Sequence, residues 1–220
     1  MKTKSFLDFN AHLNGTDRQA LEYTNLDYRV KSEDMKFPKW LLAVVAVLAL
    51  AFFLFGRPYL KEQTKKISPE KTATYEKNGM DLKVNYSSPF KKGREIFGAL
   101  VPYNEVWRTG ANEPTTFTTG SNISVGGKNL TAGTYSLWTI PGKETWTFIF
   151  NSEIPNWGTT IFSGGKNTSR NADTDVLQLN VPAHQLSQTI ESLTIDFEEN
   201  EQLYLSLAWD KTKLSLPIKK

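Results

Sequence analysis

The chain has 220 residues, which is enough for one ordinary domain with an anchor and a tail but not for two large domains. Hydrophobic residues make up 39% of it and aromatic residues 12%, a composition that predicts a packed core and excludes a wholly disordered chain. The absence of cysteine excludes disulfides, thiolate metal sites and a cysteine nucleophile. Only His12 and His184 could supply imidazole ligands, so we predict neither a metal site nor a cofactor.

The formal net charge of +3 is unevenly distributed. Residues 1–36 hold six basic and six acidic side chains, and residues 72–220 hold fourteen and fifteen. The larger part of the chain is therefore nearly neutral. It lacks the basic surface that binding to a phosphate backbone requires, which excludes nucleic acid as a partner.

The first 36 residues combine scattered apolar side chains with balanced charge, and are too few for a catalytic domain. We expect them to form a cytoplasmic tail. Met35 opens the run MKFPKWLLAVV, which has the form of a signal start, a short basic region followed by an apolar one. Either the tail is translated or translation begins at Met35.

Residues 37–56 are predicted to form one transmembrane helix. Trp40 to Phe55 is a run of sixteen residues without a charged side chain, bracketed by Lys39 and Arg57. From Phe37 the helix would be about 28 Å long, close to the roughly 30 Å of bilayer hydrocarbon. Its Leu, Val and Phe side chains favour insertion by about 3–7 kcal/mol. A buried core helix is the alternative, but core helices are rarely apolar on every face.

No small-residue cleavage site follows this helix, because the next residues are GRPYLKEQ; we therefore expect an uncleaved signal-anchor. Basic residues flank both ends of the span, so the positive-inside rule does not decide the orientation. Residues 57–71 are charged and polar and contain two prolines, which indicates a linker or stalk.

From residue 72 onward, apolar and polar residues alternate, as at Met80–Tyr86 and Leu203–Trp209. This period is typical of half-buried antiparallel strands. Turn signals separate the runs at Asn78-Gly79, Gly126-Gly127, Pro141-Gly142, Gly164-Gly165 and Asp210-Lys211. We predict eight to ten short strands in an all-β fold, an antiparallel β-sandwich or a jelly-roll-like barrel.

Two stretches interrupt the alternation, Ser87–Glu113 and residues 152–173. Both are long for hairpin loops, and loops of this length in compact β domains often carry function.

Residues 72–220 resemble the DUF2911 family, a bacterial domain of unknown function. The resemblance depends on five runs in the family's order: GREIFG at 93–98, LVPYNEVWRTGANE at 100–113, GKNLTAGTYSLWTIP at 127–141, WTFIFN at 146–151 and the closing hairpin LAWDKTKLSLPI at 207–218. Members usually look exported. The resemblance therefore implies a bacterial inner-membrane protein with a periplasmic β domain. The tail and anchor depart from the plain signal peptide that most members carry, and the family supplies no established activity.

The run WRTGANE supplies the candidate site. It offers an indole face, a bidentate guanidinium, an amide and a carboxylate, a set suited to a sugar or a carboxylated ligand. With two neighbours, the predicted ligand-binding residues are Arg94, Tyr103, Trp107, Arg108, Asn112 and Glu113. The alternative is structural: Trp107 would lie in the core, Gly110 would form a turn, and an arginine paired with Glu113 would brace the loop.

We therefore predict a membrane-anchored extracytoplasmic module of the cell envelope that binds a small ligand, a glycan or a protein, besides the lipid bilayer. A hydrolase that uses Arg108 and Glu113 is the first alternative; sequence cannot show the carboxylate spacing that such chemistry needs. A transmembrane signalling protein with the tail as its output is the second.

Overall fold

The computed structural model describes residues 38–160, 163 and 167–220. The predicted tail, the alternative start at Met35 and the turn at Gly164-Gly165 lie outside these residues. The chain divides into two compact units, residues 1–56 and 57–220. The described part of the first unit contains helix α1, Lys39–Ala51, followed by a π-helical turn, Phe52–Gly56.

Helical residues run without a break from Lys39 to Ile67, and this segment is long and apolar enough to cross a membrane. No residue of α1 is buried, and its first turn contains no acidic side chain. An apolar helix with no buried face lacks the packing that would stabilise it as a core element. The structure therefore agrees with the predicted apolar span and gives no support to a buried core helix.

The second unit begins with helix α2, Arg57–Ile67, where the sequence indicated a linker. The basic side chains of Lys65 and Lys66 lie in its last turn, where they interact favourably with the helix dipole. Pro69 prevents the helix from continuing. The first strand begins one residue later, at Glu70, so the extended part of the predicted linker is short.

The described part of the second unit contains nine strands. They are β1 Glu70–Lys77, β2 Met80–Ser87, β3 Thr115–Thr119, β4 Ile123–Val125, β5 Lys128–Leu130, β6 Gly133–Ile140, β7 Thr145–Asn151, β8 Asp175–Glu199 and β9 Leu203–Lys219. A short 3-10 turn, Ala172–Thr174, precedes β8. The strand pairs are antiparallel, and their order is β1-β2-β3-β6-β7-β8-β9-β4-β5.

These elements confirm an all-β antiparallel fold preceded by one apolar helix. Of the sandwich-like and barrel-like alternatives, neither describes the sheet fully, because the nine strands form one open sheet. The sheet bends over its own core: Phe197 of β8 contacts Tyr75 of β1 and Phe117 of β3, with ring centroids 6.2 and 6.4 Å apart. The bend occurs along β8, which pairs with β7 through residues 175–182 and with β9 beyond them.

The long strands β8 and β9 correct a detail of the sequence prediction. Asp210-Lys211 was predicted to be a turn, but β9 passes through it without ending. Asp210 adopts a left-handed φ of 53°, which aspartate tolerates better than most residues, and pairs with Lys91 at 3.0 Å. The register of β8 shifts opposite this point, so a bulge and a bend replace the predicted hairpin turn. The turns at Asn78-Gly79, Gly126-Gly127 and Pro141-Gly142 fall between paired strands as predicted.

One hydrophobic core fills the bent sheet. Its largest fully buried side chains are Trp146, Trp209, Phe117, Phe148 and Phe150. The alternating residues identified in the sequence supply most of this core; on β2, for example, Met80, Leu82 and Val84 are buried while the residues between them are exposed. Trp107 and Trp209, which belong to this core, also line a pocket to which both irregular stretches, residues 87–113 and 152–173, contribute.

Candidate functional site

A pocket of about 770 Å³ lies where those two stretches meet. This volume is within the roughly 300–1,000 Å³ usual for small-molecule sites. Most of its wall comes from the first stretch, with contributions from the end of α2, the second stretch and β9. The lining residues are Ile67, Ser68, Pro89, Phe90, Lys92, Arg94, Ala99, Leu100, Val101, Pro102, Glu105, Val106, Trp107, Arg108, Gly110, Ala111, Thr159, Asn167, Thr168 and Trp209.

The first stretch is fastened to the sheet at both ends. Near its start, the amide of Lys91 donates to the carbonyl of Glu191 on β8 at 2.6 Å. Near its end, Trp107 and Thr139 of β6 exchange two backbone hydrogen bonds of 2.7 and 2.9 Å. Between these points the chain is free of the sheet ladder, and its basic side chains line the pocket.

The described residues of the second stretch pair with each other and with the first stretch. A bridge joins Thr159 to Thr168, and the amide of Thr160 donates to the carbonyl of Asn167 at 2.9 Å. The amide of Gly158 donates to the carbonyl of Asn112 at 3.0 Å, which fastens the second stretch to the WRTGANE loop. The pocket wall is thus built from two loops that are joined by a backbone hydrogen bond.

Arg108 lies at this junction. Its stem packs against Gly158, where an added Cβ would be 2.2 Å from the Arg108 Cδ. Its Nε is buried without a hydrogen-bond partner, and within the described residues its guanidinium forms no ion pair. Burial lowers the pKa of the Arg108 guanidinium below its ordinary value. A buried cation without a counter-ion is costly, so a bound anion would stabilise this arrangement.

Arg94 and Lys92 add positive charge to the same pocket. Arg94 is exposed, and its guanidinium donates to the carbonyls of Phe90 and Lys91. Lys92 is positioned by its amide, which donates to the carboxylate of Glu191 at 2.8 Å. The side chains of Arg94 and Lys92 form no ion pair with any carboxylate of the described residues.

Trp107 has a structural role besides lining the pocket. It is 8% exposed, stacks on Trp209 with centroids 6.0 Å apart, and meets the rings of Phe97 and Trp146 edge-on. Its Nε1 donates to the carbonyl of Gly110 at 3.1 Å. Since the indole is packed among other rings, it offers no broad open face on which a sugar could stack. This placement agrees with the alternative in which Trp107 belongs to the core.

Asn112, Tyr103 and Glu113 do not line the pocket. Asn112 is buried with its side-chain nitrogen unpartnered, and Tyr103 packs on the edge of the core. Glu113 pairs with Lys61 of α2 at 2.7 Å and lies 4.0 Å from Lys65. Burial would raise the pKa of Glu113, but the hydrogen bond and charge of Lys61 hold it below its ordinary value.

The reason for this separation is the path of the backbone. Thr109 and Asn112 have left-handed φ values of 57° and 58°, and they turn the chain between Arg108 and Glu113. Thr109 is fully buried; its hydroxyl forms hydrogen bonds, and its carbonyl accepts one. Arg108 therefore lines the pocket while Glu113 contacts α2. The structural alternative placed an arginine on Glu113; among the described residues a lysine of α2 takes that position.

Of the six predicted site residues, the structure brings Arg94, Trp107 and Arg108 together at one pocket. Sequence reasoning missed several others at the same place, namely Lys92, Thr159, Asn167, Thr168 and Trp209. The lapse in strand alternation located both stretches that carry most of them. It could not select individual residues, because that depends on how the two loops dock.

The comparisons with known proteins give one match. The model of the family described as "Protein of unknown function (DUF2911)" matches residues 68–218, which include β1 to β8 in full and β9 except for its last residue. Neither the curated proteins nor the solved structures contain a match to this chain. The match extends over more than half of the sequence and agrees with the resemblance seen in its motifs. This chain therefore belongs to the DUF2911 family.

Proposed function

We propose that this protein is a membrane-anchored, extracytoplasmic binding protein whose β domain holds a small ligand in the pocket beside Arg108. The observation that carries the proposal is the unpaired, partly buried guanidinium of Arg108 in the wall of a pocket of small-molecule size. Buried polar groups in proteins nearly always have a hydrogen-bond partner, and one without a partner calls for an explanation. A ligand that accepts hydrogen bonds from the terminal nitrogens of this guanidinium would supply the missing counter-charge.

The membrane part of the proposal is supported by the apolar helix. A cleaved signal sequence would have similar composition, but no cleavage site of the usual kind follows it in the sequence. The extracytoplasmic placement of the β domain is supported by the exported character of the family. Together they suggest a binding module held at the outer face of a bacterial inner membrane.

A hydrolase that uses Arg108 and Glu113 has less support. The two side chains do not share the pocket, and Glu113 is engaged by Lys61. Among the described lining residues, Glu105 is the one carboxylate, whereas glycoside hydrolysis uses a pair about 5–10 Å apart. Binding is therefore the function that the geometry supports best.

A signalling role has one specific observation in its favour. The loop that carries Arg108 into the pocket ends at Glu113, which is paired with α2. Ligand binding at one end of this loop could thus alter the contact at its other end. This role predicts that Lys61→Met changes ligand affinity, whereas a passive tether would leave the affinity unchanged.

The binding proposal can be tested on the full chain in lipid nanodiscs. A fragment collection with anionic, cationic and neutral members would be screened by thermal unfolding and by ligand-observed NMR against empty nanodiscs. We expect compounds that raise the unfolding temperature of the wild type but not of Arg108→Met, which keeps an unbranched apolar stem. The control is Lys83→Met on the exposed outer face of β2, which should respond like the wild type. A screen with no compound whose effect depends on Arg108 would reject the proposal.

A further inference from the structure

We infer that the ligand of this pocket is an amphipathic organic anion, with one carboxylate-type head and an apolar body. The inference rests on the proposed binding function and specifies its ligand. The charge of the pocket wall is the first part of the argument. Among the described lining residues, three are basic, Lys92, Arg94 and Arg108, and one is acidic, Glu105.

Within the described residues these cations have no acidic partner. The described part of the chain contains seven contacts between oppositely charged side chains, and none includes Lys92, Arg94 or Arg108. By contrast, Lys91, next in sequence to Lys92, pairs with Asp210 at 3.0 Å. An excess of unpaired positive charge in a concave, partly desolvated site favours an anion.

The form of the head follows from the two arginines. Each guanidinium has a planar fork of donors that matches the two oxygens of a carboxylate or the oxygens of a phosphate. Arg94 uses part of its donor fork for hydrogen bonds to the carbonyls of Phe90 and Lys91, and these bonds fix the orientation of the guanidinium. In Arg108 the Nε is buried without a partner, and the terminal nitrogens, which form no hydrogen bond among the described residues, are the donors that a ligand in the pocket can reach.

The uncharged part of the wall is mostly apolar, with Ser68, Thr159, Asn167 and Thr168 as its polar members, and this apolar surface distinguishes an amphipathic anion from a small inorganic one. Ile67, Phe90 and Leu100 are 60%, 36% and 45% exposed, although each has a large apolar side chain. They line the same pocket as the cations, with Val101 and Trp107 also in the wall. A ligand with an apolar body would remove this surface from water, a gain of roughly 25 cal/mol per Å² that inorganic phosphate could not provide.

Matched pairs of compounds test the inference on the full chain in nanodiscs. One series contains 4-phenylbutyrate and octanoate, and a second contains their neutral amides, which have nearly the same shape without the charge. Acetate and inorganic phosphate supply the head alone, and octyl phosphate tests the alternative head. Affinities would be measured by titration calorimetry, with empty nanodiscs as the blank.

We expect the carboxylates to bind at least tenfold more tightly than their amides and than acetate or phosphate. Arg108→Met should remove most of this preference, Arg94→Gln should reduce it, and Lys83→Met should leave it unchanged. Amides that bind as well as the acids, or inorganic phosphate that binds as well as octyl phosphate, would overturn the inference. If the fragment screen finds Arg108-dependent ligands that are neutral or cationic, the inference fails while the binding function stands.

Discussion

Gly158 allows the two loops of the pocket to approach each other, because a side chain at this position would occupy the space of Arg108. An added Cβ would lie 2.9 Å from the Arg108 Cβ and 3.0 Å from the Asn112 carbonyl oxygen. The backbone of Gly158 does not have a positive φ, so the requirement for glycine is one of space. The position of Arg108 thus depends on a glycine 50 residues away in the sequence.

Gly158→Ala is therefore expected to destabilise the β domain and to displace Arg108. Overpacking of this kind costs about 1–3 kcal/mol. For a chain of this size, that corresponds to a fall of about 2–12 °C in the unfolding temperature of the full protein. Gly120→Ala is the control, since its nearest atom would be the Asp81 Cβ at 3.3 Å. Equal unfolding temperatures of the Gly158 and Gly120 variants would contradict the packing described for Arg108.

The ion pair between Lys61 and Glu113 gives a second prediction at the residue scale. We expect Lys61 and Glu113 to be coupled by about 0.2–1 kcal/mol, as for other partly exposed pairs. The coupling of Arg108 with Glu113 should be smaller. Two double-mutant cycles, with Lys61→Met, Arg108→Met and Glu113→Gln, would measure both by thermal unfolding. A larger coupling of Glu113 with Arg108 would restore the brace that the sequence suggested.

The sequence could identify Arg108 as a candidate but could not pair it correctly. Guanidinium and carboxylate groups five residues apart could meet or diverge, depending on the backbone between them. Here Thr109 takes a left-handed φ, which is uncommon for a β-branched residue and has no signal in the sequence. The partner of Glu113 lies 52 residues earlier, in a segment whose composition indicated a linker. Both facts depend on tertiary contacts.

Among the elements, the second loop is anchored at its C-terminal end by a polar cluster around Asp175. Arg170 donates to this carboxylate through two nitrogens, and Asn151 and Gln178 donate at 2.8 and 2.9 Å. The Asp175 side chain is only 9% exposed. Burial would raise the pKa of Asp175, but these hydrogen bonds and the Arg170 charge hold it below its ordinary value.

Asp175→Ala should therefore loosen the loop and destabilise the domain. Hydrogen bonds to charged groups contribute about 1.5–3 kcal/mol, which corresponds to a decrease of about 3–12 °C in unfolding temperature. Asp173→Ala is a matched control, because Asp173 is exposed in the adjacent 3-10 turn. Thermal unfolding of the three proteins at neutral pH provides the comparison.

Asp175→Ala should also remove part of the dependence of folding stability on pH. Because the pKa of Asp175 is lower in the folded state, its contribution is present above the ordinary value of 3.8 and is lost as the pH falls through the folded value. The difference in unfolding temperature between wild type and Asp175→Ala should hence be constant near neutrality and shrink below about pH 4. A difference that grows as the pH falls would contradict the assignment.

At the scale of elements, the strands could be predicted and their lengths could not. Alternation located the apolar faces of β2, β7, β8 and β9, because one side of each strand faces the core. It could not show that β8 and β9 continue through polar residues such as Gln185 and Lys211. These residues stay in strand conformation because β8 and β9 pair with each other across the bend. The local amino-acid composition does not predict that pairing.

For the whole molecule, the main feature is a helical segment, Lys39–Ile67, that is long and apolar enough to cross a membrane. If residues 37–56 form an uncleaved anchor, the full chain should remain in the membrane fraction after a carbonate wash and dissolve only in detergent. The apolar surface of α1 supports this expectation, since none of its residues is buried. Mass spectrometry of the native protein would locate its first residue. A soluble form that begins after Gly56 would instead identify the helix as a cleaved signal sequence.

Topology is the last prediction, and charge alone does not decide it. Basic residues lie on both sides of the span, with Arg57 and Lys61 on the C-terminal side and Lys36 and Lys39 on the other. The expectation of an extracytoplasmic β domain depends instead on the exported character of the family. Alkaline phosphatase fused after Lys220 should be active, because this enzyme folds outside the cytoplasm. A fluorescent protein that matures only in the cytoplasm should not fluoresce when it is fused at the same position. The reverse pattern would place the pocket in the cytoplasm, where Arg108 would meet a different set of organic anions. The binding proposal would then lose its extracytoplasmic part, but binding that depends on Arg108 could still be measured.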